Sequence, residues 1–428
     1  MREMKDSGIE WIGKIPEEWT KDKAIRLFNI IGSGTTPKNI TSDFPCVNWI
    51  QSGDINGSLI SSCKNNVSES IISQYSALKI YAAPFIVIAM YGASVGNTSI
   101  SLIDGCVNQA CCVLSASIYN LNYAFYAIKS SQNYLIRKAI GGGQPNISQD
   151  TIKQLWLPLP ALHEQKRIVT FLDAQCAEID AVLEKTRASI EEYKKLKQAV
   201  ITQAVTKGIR GDRPMKNSGS VWFEEIPCNW VMKRIKYLFH IKKDIAGKEG
   251  YTVLSITQRG IQPKDLSKNE GQIAANYSQY QLLAPGDFAM NHMDLLTGWV
   301  DISKYSGVTS PDYRVFVLDD TEKNDSSYYL YLMQMCYFNR IFYGLGQGVS
   351  GMGRWRLQAD KFLNFPVVVP PVDEQKEIAS YLNEKCSCIE VMIAKKQQYL
   401  TEIETYKKSL IYEYVTGKKE VKTSVLAD

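Results

Sequence analysis

The fold is decided by a stretch that occurs twice, as EQKRIVTFLDAQCAEIDAVLEKTRASIEEYKKLKQAVITQAVTKG at residues 164–208 and as EQKEIASYLNEKCSCIEVMIAKKQQYLTEIETYKKSLIYEYVTGK at residues 374–418. The two copies align at a single constant offset, without an insertion, from the opening Glu-Gln-Lys to a closing Val-Thr. A length kept this strictly indicates that the length itself has a function.

Both copies predict a long helix, because their apolar residues recur with alternating steps of four and three. The predicted seam of the first helix comprises Ile168, Leu172, Ile179, Val182, Tyr193, Leu196 and Val200, with a polar middle at Gln175, Thr186 and Ser189. That of the second comprises Ile378, Leu382, Ile389, Met392, Tyr399, Ile403, Tyr406 and Leu410. About 44 helical residues would span roughly 65 Å, about two turns of B-DNA. A helix pair inside one compact core is the alternative, which this length disfavours.

A second repeat precedes each helix. Met4-Lys5-Asp6-Ser7-Gly8 returns as Met215-Lys216-Asn217-Ser218-Gly219, and the matching positions that follow are Trp11 and Trp222, Ile15-Pro16 and Ile226-Pro227, Trp19 and Trp230, and Leu27-Phe28 and Leu238-Phe239. We interpret this repeat as an extended segment that packs through its rings, and we call it the clasp. A tryptophan at such spacing more often packs in a core than stacks on a base.

Length and composition favour a soluble protein of several domains. The 428 residues predict two or three domains, and a net charge of +5 permits an anionic partner without requiring one. Ten cysteines without a Cys-x-x-Cys and three histidines disfavour a zinc site and suggest reduced thiols. The N-terminus lacks an apolar signal segment, and the most apolar run, 80–91, is shorter than the ~20 residues of a membrane helix. We therefore expect a cytoplasmic protein without a membrane segment.

The regions between the repeats predict two mixed α+β (α/β) domains. The expected strands are 47–50, 85–90, 98–102, 109–114, 152–159, 252–256, 287–290 and 313–318, and the expected helices are 23–28, 121–138 and 327–342. The resulting division is a globular domain at 1–160, a long helix at 161–209, a second globular domain at 210–370, a second long helix at 371–418 and a flexible tail at 419–428. Helix one leads from the first domain to the second, so an antiparallel return of helix two is the economical topology.

The loops of both domains carry a set of polar side chains suited to nucleic acid. Arginine pairs with guanine and asparagine or glutamine with adenine in the major groove, whereas lysine suits phosphates. The candidates are Thr35, Lys38, Asn56, Asn97, Gln144, Asn146, Gln258, Arg259, Arg354, Arg356 and Gln358. Each alone is more often a solvated loop residue, but the set falls on matching loops, including the glycine-rich loops at 141–146 and 344–356.

The sequence offers little for catalysis. It has no Gly-x-x-x-x-Gly-Lys-Ser/Thr phosphate loop, and the glycines at 344–353 lack the strand and acidic partner of a dinucleotide site. Ser310-Pro311-Asp312-Tyr313 is similar to the Pro-Pro-aromatic turn of DNA amino-methyltransferases, but Asp312 replaces a proline and no cofactor-binding glycine turn accompanies it. A tight turn that opens a strand is the better account, and we expect no catalytic or metal site.

Over essentially its whole length the chain resembles the specificity subunit of type I restriction-modification systems. The resemblance rests on the doubled clasp and the doubled Glu-Gln-Lys helix, with weaker support from 49–54, 92–98 and 291–313. It implies two target-recognition domains that each read one half of an asymmetric bipartite site in double-stranded DNA. It also implies two antiparallel helices that set the spacer and dock two methyltransferase subunits.

The same resemblance implies a chain that binds no cofactor and performs no chemistry. S-adenosylmethionine would belong to the methyltransferase subunits, and ATP and Mg²⁺ to the restriction/translocase subunits. A type IIB specificity subunit cannot be separated from this reading by sequence. A DNA adenine methyltransferase in its own right and a coiled-coil adaptor without DNA contact are the more distant alternatives.

Overall fold

The structure is a computed structural model that describes residues 2–38, 45–117, 119–140, 145–266, 274, 276–348 and 355–421. Its contacts divide the chain into two compact units, which are described separately below: unit 1 is Met1–Thr186 with Gln398–Asp428, and unit 2 is Arg187–Gln397. Each unit contains one globular domain, the start of one long helix and the end of the other. Within the described ranges, no helix is long and apolar enough to cross a membrane.

Unit 1 is a mixed α+β domain. Its strands are β1 Met4–Asp6, β2 Lys14–Pro16, β3 Thr20–Lys23, β4 Phe28–Ser33, β5 Cys46–Ile50, β6 Leu59–Ile60, β7 Asn66–Ser68, β8 Phe85–Ala89, β9 Thr98–Ser101, β10 Gly105–Val107, β11 Cys111–Ser117 and β12 Trp156–Leu159. Its helices are α1 Ala24–Leu27, α2 Glu69–Ile72, α3 Leu121–Ser130, α4 Gln132–Lys138, α5 Gln149–Lys153 and the first part of α6 Leu162–Lys207. The main sheet has the order β4-β11-β8-β9-β6, and β10-β5-β7 and β12-β3 form smaller sheets.

Burial explains the centre of this sheet. Every residue of β8 is buried, which fits its unbroken apolar run FIVIA. The predicted strand at 152–159 is correct only from Trp156, because Ser148 accepts a hydrogen bond from the backbone of Thr151 and starts helix α5 instead. The predicted helix at 121–138 is divided into α3 and α4 at Ser131.

Unit 2 has the same plan and, within the described residues, twelve strands, as many as unit 1. These are β13 Met215–Asn217, β14 Glu225–Pro227, β15 Val231–Arg234, β16 Phe239–Lys242, β17 Leu254–Thr257, β18 Gly260–Pro263, β19 Gln281–Leu283, β20 Phe288–Met290, β21 Val300–Ile302, β22 Gly307–Thr309, β23 Arg314–Leu318 and β24 Pro366–Val369. The helices are α7 Ser326–Phe338, α8 Ile341–Gly344, α9 Ala359–Asn364 and α10 Val372–Val415. The largest sheet has the order β16-β23-β20-β21, and β15 pairs with β24 as β3 pairs with β12.

In each unit the two long helices run antiparallel. In unit 1, Lys407 of α10 donates to Asp180 of α6 over 2.6 Å, and the rings of Phe171 and Tyr414 lie 4.5 Å apart between centroids. In unit 2, Lys197 of α6 pairs with Glu390 of α10 over 2.5 Å. Higher numbers on one helix therefore meet lower numbers on the other, which confirms the predicted antiparallel topology.

The predicted seam is wrong by one residue in several places. Val182 and Leu196 are 39% and 48% exposed, whereas the adjacent Leu183 is buried, as is Ile190. The polar interruption predicted at three positions reduces to buried Thr186, whose hydroxyl donates to a backbone carbonyl of its own helix. The same shift applies to α10, where Met392, Tyr399 and Tyr406 are exposed.

Candidate nucleic-acid interface

An arginine, a tryptophan and a glutamate hold the start of each long helix. In unit 1 the indole Nε1 of Trp19 donates to Oε2 of Glu164 over 2.8 Å, and Arg2 donates to Oε1 over 2.6 Å. The Arg2 guanidinium also lies 5.4 Å from the centroid of the Trp19 ring. Both oxygens of a mostly buried carboxylate thus have donors, which is the condition for burying it without a large penalty.

Unit 2 repeats this arrangement. Trp230 Nε1 donates to Oε2 of Glu374 over 2.9 Å, Arg213 pairs with Oε1, and the Arg213 guanidinium lies 5.0 Å from the Trp230 ring centroid. The Glu374 side chain is only 2% exposed, against 14% for its unit 1 counterpart. Neither arginine was singled out from the sequence. Each lies two residues before the Met-Lys of its clasp, so the two arginines are as far apart in the chain as the two clasps.

Each domain also holds the far end of a long helix. The Tyr123 hydroxyl donates to the carbonyl of Val415 at the end of α10 over 2.8 Å, and the Tyr328 hydroxyl donates to that of Val205 near the end of α6 over 3.2 Å. Burial raises the pKa of both tyrosines well above its ordinary value, so both remain donors. Equivalent contacts in the two units therefore fix both ends of each helix.

The loop that carries Asn56 is held at several points. Lys129 donates to the carbonyl of Gly57 over 2.7 Å, and the Gly57 N–H donates to the hydroxyl of Ser99 over 3.2 Å. Asn97 donates to the carbonyl of Ile55 over 3.5 Å and accepts from Gln132 over 2.7 Å.

Two predicted site residues, Asn56 and Asn97, therefore lie at the same loop, but their side chains have different surroundings. Asn56 Oδ1 accepts from the backbone and hydroxyl of Ser58, which leaves its amide N–H₂ as the group available to a base edge. The Asn97 side chain supports the loop that carries Asn56 and has both ends of its amide bound within the protein.

Thr35 and Lys38 lie on the segment after β4. The backbone passes so close to β10 that a Cβ on Gly34 would lie 1.6 Å from the Val107 carbonyl oxygen, which requires glycine there. The Lys38 N–H donates to the Tyr75 hydroxyl over 3.3 Å and its side chain is exposed. This segment is thus held at both ends, and the ammonium group of Lys38 lies in solvent.

Asn146 and Arg356 occupy equivalent places at the necks of the two glycine-rich loops. Asn146 exchanges two backbone hydrogen bonds with Ile140, of 2.9 and 3.0 Å, and Arg356 exchanges two of the same lengths with Gln347. Both side chains are exposed. The prediction that these loops correspond is confirmed for their necks, while Gln144 and Arg354 lie outside the described residues.

In unit 2, Gln258 and Arg259 form the tip of the β17–β18 hairpin. Both are exposed, and the Gln258 amide donates to the carbonyl of Thr297 over 3.3 Å. Gly260 closes the turn with φ +95°, a conformation that favours glycine. Gln358 lies elsewhere, as the exposed residue directly before α9.

A buried cationic side chain beside the second neck was not predicted. Arg314 is 6% exposed, donates to the carbonyl of Leu357 over 2.8 Å and lies 5.1 Å from the Phe362 ring centroid. Burial lowers the pKa of Arg314 to about 10. Burial, with the nearby Arg314 and Arg356, lowers the pKa of His292 to about 4, so His292 is neutral at pH 7.

The turn that resembles a methyltransferase motif is used internally. The Gln281 amide donates to the carbonyls of Ser310 over 3.2 Å and Tyr313 over 2.9 Å, and Gln281 is buried. The turn's acceptors therefore face a protein amide rather than an open cavity. Among the described residues, no group of His, Cys, Asp and Glu is arranged to hold a metal ion.

Comparisons with known proteins agree with this geometry. Two proteins of Methanocaldococcus jannaschii are similar: the type I restriction enzyme MjaVIII specificity subunit, 23% identical over 70% of either chain, and a putative type I restriction enzyme MjaX specificity subunit, 25% identical over 69% of this chain and 66% of its own. A solved structure from work on the complex assembly and conformational transition of a type I restriction-modification system aligns at a TM-score of 0.68, with 14% identity, over 95% of this chain and 99% of that one. At this identity the last likeness establishes the fold alone.

The family comparison covers both halves. The family model described as the type I restriction modification DNA specificity domain matches twice, at residues 16–192 and 227–402. Each match begins within a clasp and continues into the long helix that follows it. The chain belongs to the type I restriction-modification DNA specificity family.

Proposed function

We propose that this chain reads one asymmetric bipartite DNA site, with each globular domain recognising one half. The observation that carries the proposal is the double match to a DNA specificity domain at 16–192 and 227–402. The clasps of the two halves agree, whereas their exposed loops differ. Two unlike reading surfaces in duplicated scaffolds suit two different half-sites.

The reading groups would come from the exposed loop side chains. Asn56, Asn146, Gln258, Arg259 and Arg356 are all exposed. Arginine and amide side chains are the groups that pair with guanine and adenine edges in the major groove. Thr35, Lys38 and Gln358 would take positions on the sugar–phosphate backbone or a neighbouring base.

The long helices would set the spacer and dock two methyltransferase subunits, with restriction/translocase subunits completing the complex. Exposed apolar side chains on both helices, at Val182, Leu196, Val391, Met392 and Tyr399, support a docking role. This chain would bind no cofactor. S-adenosylmethionine, ATP and Mg²⁺ would be used by the partner subunits.

The direct test is methylome sequencing of the host with and without the gene. We expect one bipartite motif with two unlike halves to lose its methylation when the gene is removed. An unchanged methylome, or loss of a continuous motif, would contradict the proposal. Insertion of four residues in either long helix should then change the spacer recognised, and an unchanged spacer would exclude the spacing role while leaving sequence recognition intact.

A further inference from the structure

The last part of α6, in unit 2, and the residues just after it differ in charge from the matching residues at the end of α10. Residues 193–211 contain five lysines or arginines and no acidic residue. The corresponding residues 403–421 contain four lysines and three glutamates. The apolar pattern of the helix was duplicated, but this charge distribution was not. The difference marks the unit 2 stretch as a surface with a separate role.

The side chains of this stretch share one groove. Lys195, Gln198, Thr202 and Thr206 recur at helical spacing along it, and Lys207 lies at its end. Asn339, which follows α7, forms the other wall and donates to the Thr202 hydroxyl over 3.1 Å. That hydrogen bond holds the end of α7 against the helix.

Arg340 extends the groove toward a predicted base-reading residue. It is exposed and has φ 57°, a left-handed conformation that non-glycine residues rarely adopt. With Lys194 and Lys197 it lines an adjoining groove that also contains Gln258. Cations of the helix and a hairpin tip thus face the same space.

Three of these cations lack an acidic partner. Within the ranges that the structure describes, no carboxylate lies within ion-pair distance of Lys195, Lys207 or Arg340. By contrast, Lys194 pairs with Glu191 over 2.7 Å and Lys197 pairs with Glu390 over 2.5 Å. An anionic partner would therefore meet three unneutralised charges.

We propose that Lys195, Lys207 and Arg340 form a basic face that contacts the phosphate backbone of the DNA beside the half-site read by domain 2. The inference rests on the proposed DNA-recognition function and adds to it a sequence-independent contact made by a helix. Amide and hydroxyl groups between the cations suit phosphate oxygens. The groove that contains Lys195 and Lys207 has no large apolar side chain in its wall, whereas protein interfaces usually centre on such anchors. The adjoining groove of Arg340 does include Leu296 and Trp299.

The test is the triple variant Lys195→Gln/Lys207→Gln/Arg340→Gln of the full chain, assembled with its modification partners. Binding is measured against salt concentration on a duplex with the recognised site and on one without it. We expect the slope of log affinity against log salt to fall by about 2 to 3, and affinity at 0.1 M salt to fall about 10²-fold on both duplexes. The ratio between the two duplexes should stay unchanged.

Two further variants serve as controls. Lys236→Gln/Lys304→Gln/Lys408→Gln removes the same charge from other exposed positions and should keep the wild-type slope. Lys195→Arg/Lys207→Arg/Arg340→Lys keeps the charge and should bind as the wild type does.

Several outcomes would overturn the inference: an unchanged slope in the neutral variant, a loss confined to the recognised duplex, a loss shared by either control, or failure of the neutral variant to assemble with its partners. If the wild type itself shows no preference between the duplexes, the proposed function fails. If the wild type prefers the recognised duplex and the triple glutamine variant binds with the wild-type slope, only this inference fails.

Discussion

The two units agree where they hold the helices and differ where they face solvent. The bonds from tryptophan to glutamate in the clasps are 2.8 and 2.9 Å long. Lys129 lies six residues after Tyr123 in unit 1, and Gln334 lies six residues after Tyr328 in unit 2. Lys129 donates to the carbonyl of Gly57 in a loop, whereas Gln334 donates to the carbonyl of Val300 over 3.3 Å. The lesson is that the duplicated contacts fix the helices and the unduplicated ones shape the candidate reading loops.

The largest expected difference between the two clasps is the free-energy cost of removing the glutamate side chain. Glu374→Ala leaves Arg213 partly buried without a counter-charge and should cost unit 2 about 3–5 kcal/mol, whereas Glu164→Ala should cost about 1–3 kcal/mol because its site is more open. Denaturant unfolding with hydrogen exchange resolved by segment measures both. Equal losses would show that the difference in exposure has no energetic effect.

The glycines that follow the two long helices offer a second comparison. Gly417 and Gly208 have φ of 70° and 79°. A Cβ on Gly417 would lie 2.5 Å from the rigid Pro16 ring, whereas one on Gly208 would lie 2.0 Å from the Arg213 guanidinium that pairs with Glu374. We expect Gly208→Ala to cost about 3–5 kcal/mol, because it displaces that guanidinium from the clasp, and Gly417→Ala about 2–3 kcal/mol. Thermal unfolding of the two variants gives the order, and a reversed order would contradict this account.

A smaller effect should separate the two reading surfaces. Lys129→Met keeps the length of the side chain but removes the hydrogen bond to Gly57, which contributes about 1 kcal/mol. Amide exchange in loop 55–58 should rise, and the base preference of one half-site alone should relax. Gln334→Leu is the matched control and should leave that half-site unchanged. Relaxation of both half-sites by Lys129→Met would contradict separate reading by the two domains.

A further expected effect concerns pH. The pKa of His292 is lowered from 6.5 to about 4 in the folded chain, so the unfolded chain takes up its proton first as the pH falls. Unit 2 should lose stability between pH 6.5 and 4, and His292→Gln should flatten that decline. Urea unfolding at several pH values measures the slope. An unchanged slope in the variant would assign the decline to other groups.

The helices could be predicted from sequence, but their seam could not be placed reliably. Val182 and Leu183 are adjacent and both apolar, so the seven-residue repeat fits either one. The choice depends on where the partner helix lies, which only tertiary structure supplies. The same limit applies to 152–155, where apolar residues suggested a strand but the cap at Ser148 starts a short helix.

The candidate site was predictable in its residue types and less so in their partners. Asn97 fits the pattern of a base-reading residue, yet its amide is bound by Gln132, which lies 35 positions away along the chain. Lys129, Arg340 and Arg314 were missed because a single charge on a mostly apolar segment gives no sequence pattern. Their importance depends on neighbours brought together by folding.

The division of the long helices between units has a consequence for synthesis on the ribosome. The core of unit 1 includes Leu410, Ile411 and Val415 of α10. These residues are translated after every residue of unit 2, from 187 to 397. Unit 2 receives its last element soon after its own domain emerges, whereas unit 1 begins first and is completed last. During that interval the nascent first domain exposes the apolar surface that α10 later covers, and such exposed surface is prone to aggregation.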